Sequence, residues 1–194
     1  RFKLPYKLAV SEDDNSYIFL PTNKSEVNVL TLLNKFKYNL TDLGIKLKTG
    51  LTVGFRNKEL LSDYQCPQSV PIFYPCHFNE GLVKFPVATE KKQFILKDKA
   101  NLLQDNKNFL FLKRFTSKEE KRRLQPAIYL HDSLNEFNYI STDNKINFID
   151  TINQNDYLTL SEIYGLFALF NSTIYDRYYR ILDGSTQVNA SEIN

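Results

Sequence analysis

The stretch at residues 109–123, FLFLKRFTSKEEKRR, changes from apolar to strongly basic within one short segment. Residues 109–115 form an apolar run whose length predicts a buried strand. Residues 116–120 contain two overlapping capping boxes, in which Thr116 and Ser117 are each followed three residues later by Glu, and these predict the start of a short helix. The stretch therefore predicts a domain that mixes strands with helices and presents cations where the two meet.

Apolar periodicity and turn residues predict further elements on both sides of this stretch. The predicted strands are residues 4–10 and 17–20 around an acidic turn at 12–15, the two halves of 45–55 on either side of Gly50, a hairpin of 71–78 and 82–88, and 127–130, 137–142 and 146–149. The predicted helices are 25–39, capped by Ser25, then 161–170, and 173–182, which Asn171 and Ser172 re-cap and Asp183 and Gly184 end. Together they predict one α+β domain with a mixed or antiparallel sheet, flanking helices and a helical C-terminal part.

The composition excludes several classes of protein. The chain has 194 residues, of which 24% are charged, 42% hydrophobic and 14% aromatic, with few Gly and Pro. Such a chain buries a core of its own, which excludes disorder and fibrous repeats, and no apolar run approaches the roughly 18 residues of a membrane span. The sequence lacks Met and begins at Arg1, so we expect a piece of a larger protein whose working parts can lie elsewhere.

Cysteine usage predicts a reducing compartment. Cys66 and Cys76 are the only cysteines, and no signal peptide is present, so we expect a cytoplasmic protein. A structural zinc would have to combine them with the only two histidines, His77 and His131. That spacing is poor for a tetrahedral site, and the alternative is buried thiols with a hydrogen-bonded histidine.

The net charge of +3 hides a strong asymmetry along the chain. Residues 86–124 carry a net charge of +6, residues 125–194 a net charge of −6, and residues 1–85 a net charge of +3. A basic centre beside an acidic tail suggests one face that meets a polyanion, most commonly nucleic acid. The alternative is that the lysine-rich stretches are ordinary solvated faces.

Motifs for catalysis are missing from the sequence. It contains no G-x-S-x-G elbow, P-loop or G-x-G-x-x-G, and neither histidine lies in a recognisable catalytic motif. A metal-dependent nuclease is a rival interpretation, because Glu90-Lys91-Lys92 and Glu119-Glu120-Lys121 match the Glu-X-Lys pattern in which carboxylates hold the metal. Such triplets also arise by chance in a lysine-rich chain, and the second one also fits a helix start.

Two clusters favour contact with nucleic acid. Residues 113–123 place basic side chains beside the predicted helix start, where cations, hydroxyl groups and backbone N–H groups can meet phosphate oxygens. The alternative is local pairing of Glu119 and Glu120 with Arg122 and Arg123. Residues 183–190 bring Gln187 and Asn189 after a Gly turn, which suits adenine recognition or phosphate contacts, although this cluster taken alone fits a polar loop that caps the C-terminal helix better.

Four blocks in order carry a family resemblance over about residues 40–194. They are Lys48-Thr49-Gly50 with Phe55-Arg56; residues 71–75 (PIFYP) with His77-Phe78; residues 112–123 (LKRFTSKEEKRR); and Asn171-Ser172-Thr173 through Asp176, Tyr178 and Tyr179 to residues 184–190 (GSTQVNA). In these blocks the chain resembles the C-terminal target-recognition domain of adenine-specific DNA methyltransferases from type II restriction–modification systems. One departure is Cys76, where a small residue is expected.

The resemblance implies a division of labour. In that family an N-terminal domain binds S-adenosylmethionine and methylates the adenine amino group, using a Gly-rich loop and an Asn/Asp-Pro-Pro-Tyr/Phe motif. Neither motif occurs here, so the resemblance implies a non-catalytic recognition domain over residues 1–194, with residues 1–24 as the connection to the missing domain. Its partners would be double-stranded DNA and the N-terminal domain of the same parent, which would carry the S-adenosylmethionine, and the parent could also be a fused methylase–endonuclease.

The residues expected to contact DNA follow from these blocks. The expected phosphate contacts are Arg56, Lys113, Arg114, Ser117, Lys118, Arg122 and Arg123; the expected groove or interdomain contacts are Thr186, Gln187 and Asn189; the second choices are Lys46, Lys48 and Lys58. No catalytic, cofactor or metal residue is expected in this chain. A protein-interaction module that docks through the acidic C-terminal helices is the second rival interpretation.

Overall fold

A six-stranded sheet separates two apolar cores in a computed structural model of the chain, which describes residues 4–11, 17–182 and 185–194. The α-helices are α1 Tyr6–Ala9, α2 Lys24–Leu33, α3 Leu160–Phe170, α4 Thr173–Leu182 and α5 Ala190–Ile193. The strands are β1 Ile45–Thr49, β2 Leu61–Ser62, β3 Ser69–Phe73, β4 Phe78–Asn79, β5 Leu82–Val83, β6 Phe94–Leu96, β7 Gln104–Asp105, β8 Phe109–Lys113, β9 Pro126–Tyr129, β10 Tyr139–Thr142 and β11 Ile146–Thr151.

The strands form two mixed sheets. The six-stranded sheet has the order β1-β11-β8-β9-β5-β4, and the five-stranded sheet has the order β2-β6-β3-β10-β7. The pairs β5–β9 and β3–β10 are parallel, and the other pairs are antiparallel. Mixed sheets with flanking helices confirm the predicted α+β class.

Strand β8 is buried on both faces because the six-stranded sheet is covered on both sides. Leu110 and Leu112 point into a core shared with α3, α4 and α5, whereas Phe109 and Phe111 point into an aromatic core shared with the five-stranded sheet. The ring centroids of Phe73 and Phe111 lie 5.5 Å apart across that second core. The strand therefore lacks the alternation of apolar and polar residues that a half-exposed strand shows. The predicted buried strand is confirmed.

The helical C-terminal part is confirmed. Thr159 and Glu162 form a reciprocal capping box at the start of α3. The Ser172 hydroxyl accepts a hydrogen bond from the Tyr175 backbone N–H at 3.1 Å, so the helix is re-capped there as predicted. The predicted stop at Asp183 and Gly184 lies outside the described residues.

The N-terminal predictions are partly wrong. Residues 6–9 are helical, and among the described residues of this region the two predicted strands reduce to one β-bridge between Val10 and Ile18. The acidic turn at 12–15 lies outside the described residues. Asn23, and not Ser25, caps α2, and the helix ends at Leu33 because the exposed residues that follow bury no apolar face that would extend it.

Two predicted hairpins also differ. Residues 51–55 make only a bridge from Thr52 to Asp143 before a 3₁₀ turn, because Gly50 packs against the backbone at 143–146. The turn at residues 79–81 is confirmed, but it joins only β4 and β5. A 3₁₀ turn at Pro75–His77 ends the preceding extended segment, so β3 belongs to the other sheet.

His77 is buried in this 3₁₀ turn as a neutral imidazole. Its Nδ1 accepts the Tyr74 backbone N–H at 2.9 Å, and its Nε2 donates to the Gln93 side-chain oxygen at 2.9 Å. Because both nitrogens are occupied, the ring has no lone pair for a metal. Burial lowers the pKa of His77, against opposing contributions from its hydrogen bonds.

We expect the free energy of unfolding to rise with pH between the lowered pKa of folded His77 and the ordinary value of about 6.5. In that interval the unfolded state binds a proton that the folded state lacks, so one histidine contributes a slope of at most about 1.4 kcal/mol per pH unit. Denaturant unfolding between pH 5.5 and 7.5 measures it. His77→Gln should flatten the profile and His131→Gln, at an exposed position, should not; equal slopes in both variants would contradict the assignment.

Candidate nucleic-acid interface

Several chain segments converge at one end of the molecule. Strands β1 and β8 both run antiparallel to β11, which lies between them, so their C-terminal ends meet the start of β11. The turn that enters β11, residues 143–145, also contacts the end of β3, where the Asp143 backbone N–H donates to the Phe73 carbonyl at 2.9 Å. We call residues 52–56, 113–118, 143–145 and 185–187, which gather here, the basic end.

The loop that carries Phe55 and Arg56 is tied to this turn by its backbone. Thr52 N–H donates to the Thr142 carbonyl at 2.9 Å, and Asn144 N–H donates to the Thr52 carbonyl at 2.8 Å. The Phe55 ring is 71% exposed, and the Arg56 guanidinium lies 5.5 Å from its centroid. The fixed loop thus presents an aromatic ring and a cation together to solvent.

A second aromatic–cation pair flanks the same turn. Arg114 donates from Nη1 to the Asn144 carbonyl at 3.0 Å and from Nη2 to the Gln187 side-chain oxygen at 3.4 Å. Its guanidinium lies 5.4 Å from the ring of the exposed Phe115, which pairs with Gln187 in a β-bridge. The structure brings the predicted residues Arg56, Arg114 and Gln187 around one turn, although they are far apart in sequence.

The predicted helix after Thr116 is wrong, and the segment at 116–124 is a loop. One half of the capping box forms, since the Glu120 carboxylate accepts the Ser117 N–H at 2.8 Å. The chain then turns away because Arg180 donates to the carbonyls of Lys118 and Glu120, both at 2.8 Å. The helix N-terminus that was expected to bind phosphate is therefore absent from this described segment.

Asp176 of α4 anchors the far end of this loop. Its Oδ1 accepts the backbone N–H groups of Arg123 at 2.7 Å and Leu124 at 3.0 Å, and its Oδ2 accepts Nε of Arg180 at 2.9 Å. Burial alone would raise the pKa of Asp176, but the hydrogen bonds from Arg180, Leu124 and Arg123 outweigh it and leave the pKa below its usual value. A charged carboxylate thus fixes the loop to the helical core.

Arg122 and Arg123, which were predicted to contact phosphate, donate hydrogen bonds to other residues of the chain. Arg123 is 1% exposed, donates from Nε to the Thr116 hydroxyl at 3.1 Å and lies 5.5 Å from the Tyr179 ring, so it is withdrawn from the candidate surface. Arg122 donates from Nη2 to the carbonyls of Asn171 and Ser172, the latter at 2.9 Å. Sequence reasoning assigned both to a face because it took the segment for a helix.

Arg122 nevertheless lines a surface groove together with Lys113. The groove has a volume of about 350 Å³, and Phe78 and Phe167 contribute apolar walls. The Nε of Arg122 is buried and has no hydrogen-bond partner in the part of the chain that the structure describes. An acceptor atom of a bound molecule would satisfy this donor.

Three lysines at the basic end leave their ammonium groups available. The side chains of Lys113, Lys118 and Lys145 make no hydrogen bond or ion pair with any described residue, and each is at least partly exposed. Sequence reasoning missed Lys145, although it lies in a turn between two predicted strands. Exposed Phe55 and Phe115 were missed as well, because solvent exposure of an aromatic ring leaves no signal in a single sequence.

The acidic group of the turn is hidden behind this surface. Asp143 is buried, and its Oδ1 accepts the Lys145 backbone N–H at 3.0 Å. Burial raises the pKa of Asp143, while this hydrogen bond and the charges of Lys91 and Lys145 lower it. The Lys91 ammonium lies 4.5 Å from the ring of Tyr74, the residue that follows β3. The basic end therefore shows lysine and arginine to solvent, with its aspartate withdrawn.

Most of the remaining residues predicted to contact DNA have side chains or backbone groups that are bonded within the chain. Thr186 is exposed and its carbonyl accepts the Thr116 N–H at 3.1 Å, whereas the Asn189 side chain donates to Glu192 at 2.9 Å and caps α5. Of the second choices, Lys48 pairs with Asp150 at 2.6 Å, Lys46 lies half-buried on β1, and Lys58 is exposed in the 3₁₀ turn after Arg56.

The described residues do not form the zinc site or the nuclease metal site that the sequence left open as alternatives. Residues 4–11, 17–182 and 185–194 contain no group of three His, Cys, Asp or Glu side chains that could hold a metal ion, and Cys66 and Cys76 are free. Within those same ranges, none of the helices combines the length and the apolar character needed to cross a membrane.

Comparisons with known proteins place these features in a family context. No protein-family model matches the chain. The chain is 33% identical over 196 residues to the type II methyltransferase M.PstI of Providencia stuartii, and 33% identical over 198 residues to the type II methyltransferase M.BsuBI of Bacillus subtilis. Each alignment covers 99% of this chain but only 38% of the relative, so the chain spans about two fifths of the length of the relatives it matches.

Proposed function

We propose, on the basis of this similarity to a part of two type II methyltransferases, that the chain is the DNA target-recognition part of an adenine-specific type II methyltransferase. The observation that carries the proposal is the basic end, where Arg56, Arg114 and three available lysines surround exposed Phe55 and Phe115. Methyl transfer from S-adenosylmethionine to the adenine amino group would belong to another part of the same enzyme. Within this chain we propose no catalytic or cofactor-binding residue, and the two free thiols suit a cytoplasmic enzyme.

The basic end has the properties needed to hold duplex DNA for a methyltransferase. A methyltransferase must extrude the adenine from the duplex, and this requires that the duplex be held in register. Lysines that lack partners among the described residues would neutralise phosphates and release counterions. Arg56 can offer a bidentate donor pair to a guanine edge, and Phe55 can enter the groove as an apolar wedge. Arg114 already donates to the chain itself, so we assign it to holding the turn and Gln187 in place.

We expect Lys118→Ala and Lys145→Ala each to weaken binding of duplex DNA uniformly across sequences and to reduce the slope of log affinity against log salt by about 1. Neither side chain holds another residue in place, so the fold should persist. Fluorescence anisotropy with a duplex at several salt concentrations measures both quantities. Lys97→Ala is the control for position, because Lys97 follows β6 at the opposite end of the five-stranded sheet, where its Nζ donates to the Pro67 carbonyl at 3.2 Å.

An affinity of the chain that does not fall with added salt would contradict the recognition function, and magnesium-dependent cleavage of DNA by this chain would favour the nuclease instead. The adenine assignment has its own test. DNA methylated by the whole enzyme should yield N6-methyladenine on digestion, and methylcytosine would contradict it.

A further inference from the structure

Exposed apolar side chains concentrate on a second surface, which the proposed function leaves unused. Phe36 and Tyr38, in the segment after α2, are 71% and 73% exposed. Other large apolar side chains of the same N-terminal part are also exposed: Ile18, Leu20, Leu32 and Leu43. Soluble proteins rarely expose so many large apolar groups close together unless another surface covers them.

Phe36 and Tyr38 line a defined groove. It has a volume of about 440 Å³, and its floor is formed by buried Phe19 and Leu30. Leu33, Phe36 and Tyr38 line it from the side of α2. Polar side chains, among them Asn34 and Lys37, complete the lining. A groove that combines aromatic and aliphatic side chains with polar ones accepts one or two large side chains of a partner, as a protein–protein interface does.

Helix α4 connects this groove to the basic end. Asp176 and Arg180, on one side of α4, hold the loop at 116–124. On the other side, Arg177 donates to the Ser25 hydroxyl at 3.2 Å, and the Tyr178 ring lies 5.6 Å from that of Phe19 in the groove. A body seated in the groove would therefore lie one helix away from the loop that carries Lys118.

We propose that this groove is the docking surface for the part of the methyltransferase that this chain lacks, the part to which the proposed function assigns S-adenosylmethionine and methyl transfer. The inference rests on that proposed function. About three fifths of each matched relative lies outside the region that resembles this chain, and a part of that size in the same enzyme is large enough to cover the groove. Pairing with a second copy is less favourable, because a two-fold contact brings the groove's own Lys37 close to its copy.

The test uses the whole methyltransferase and compares it with the 194-residue chain. Backbone amides at residues 30–40 should exchange with deuterium at least tenfold more slowly in the whole enzyme than in the chain. Phe36→Glu combined with Tyr38→Glu in the whole enzyme should abolish this protection and lower methylation of DNA at least tenfold. In the 194-residue chain the same changes should leave DNA affinity unaltered, since they lie outside the basic end. Tyr64→Glu, at an exposed tyrosine outside the groove, is the control and should change none of these readouts.

Equal exchange at residues 30–40 in the chain and in the whole enzyme overturns the docking surface. Protection that is already present in the isolated chain, together with sedimentation as a dimer, also overturns it and assigns the groove to self-association. If the whole enzyme protects these amides but methylates no DNA, the docking surface stands and the proposed function fails. If it methylates DNA without protecting them, the proposed function stands and the docking surface fails.

Discussion

Asp176→Ala is expected to lower the free energy of unfolding by about 3 kcal/mol. The Asp176 carboxylate is 6% exposed and accepts three hydrogen bonds, two from backbone N–H groups and one from Arg180. Removing it leaves the two buried backbone N–H groups without an acceptor and Arg180 without its ion-pair partner, which costs far more than loss of an exposed ion pair. Chemical denaturation of the two proteins measures the difference.

The same variant should weaken DNA binding, because the loop at 116–124 loses its attachment to α4. Asp176→Asn keeps one oxygen acceptor and should lie between the two proteins in stability. Asp132→Ala, at an exposed aspartate, should change stability by less than about 0.5 kcal/mol. A loss below about 1 kcal/mol for Asp176→Ala would contradict the anchoring role.

This contribution should also depend on pH. Because the pKa of Asp176 is lowered in the folded state, the stabilisation is present at neutral pH, above the ordinary value of about 4. It is lost as the pH falls below that value and through the folded pKa, since the folded state must then take up a proton that it binds poorly. The wild-type protein should therefore lose more stability on acidification than Asp176→Ala does.

Gly50→Ala is expected to destabilise the fold by about 3 kcal/mol or more. A Cβ at this position would lie 2.1 Å from the Asp143 carbonyl oxygen and 2.9 Å from that of Ile146. Both are backbone atoms of the turn at the basic end, so relief requires β1 and the turn to separate. That separation would also displace the loop that carries Phe55 and Arg56.

Gly165→Ala is the matched control for this change. Gly165 lies within α3, and nothing stands within 4 Å of the added Cβ. Alanine there should stabilise the protein by about 0.5–1 kcal/mol, because glycine loses more conformational entropy in a helix interior. Thermal unfolding should show a loss of stability for Gly50→Ala and a gain for Gly165→Ala. If Gly50→Ala leaves the stability unchanged, the close approach of β1 to the turn is absent in solution.

Local pattern predicted the elements whose stability is decided locally. The apolar run of β8 and the cap of α4 at Ser172 need no information from distant residues, and the structure contains them. The helix expected after Thr116 failed because Asp176 and Arg180, about sixty residues later, hold the segment as a loop. No local rule reports such a long-range contact.

The candidate surface was predictable only where local sequence determines it. The charge count identified Lys113, Arg114 and Lys118 as members of a basic segment, and the resemblance added Arg56. Neither the charge count nor the resemblance could distinguish exposed Lys118 from buried Arg123, because burial depends on whether the segment is a helix or a loop. Lys145 joins them only through the pairing of β11 with β8.

The partners of the six-stranded sheet impose an order on synthesis. Strand β1 pairs with β11, with Ile45 opposite Thr151, so β1 leaves the ribosome about one hundred residues before its neighbour exists. At typical elongation rates this interval lasts roughly 5–20 s. During it the apolar side chains of β1 have no sheet to join, which exposes the nascent chain to aggregation or to chaperones. The basic end needs the same pairing and also residues 185–187, so it can assemble only after those last residues have been made.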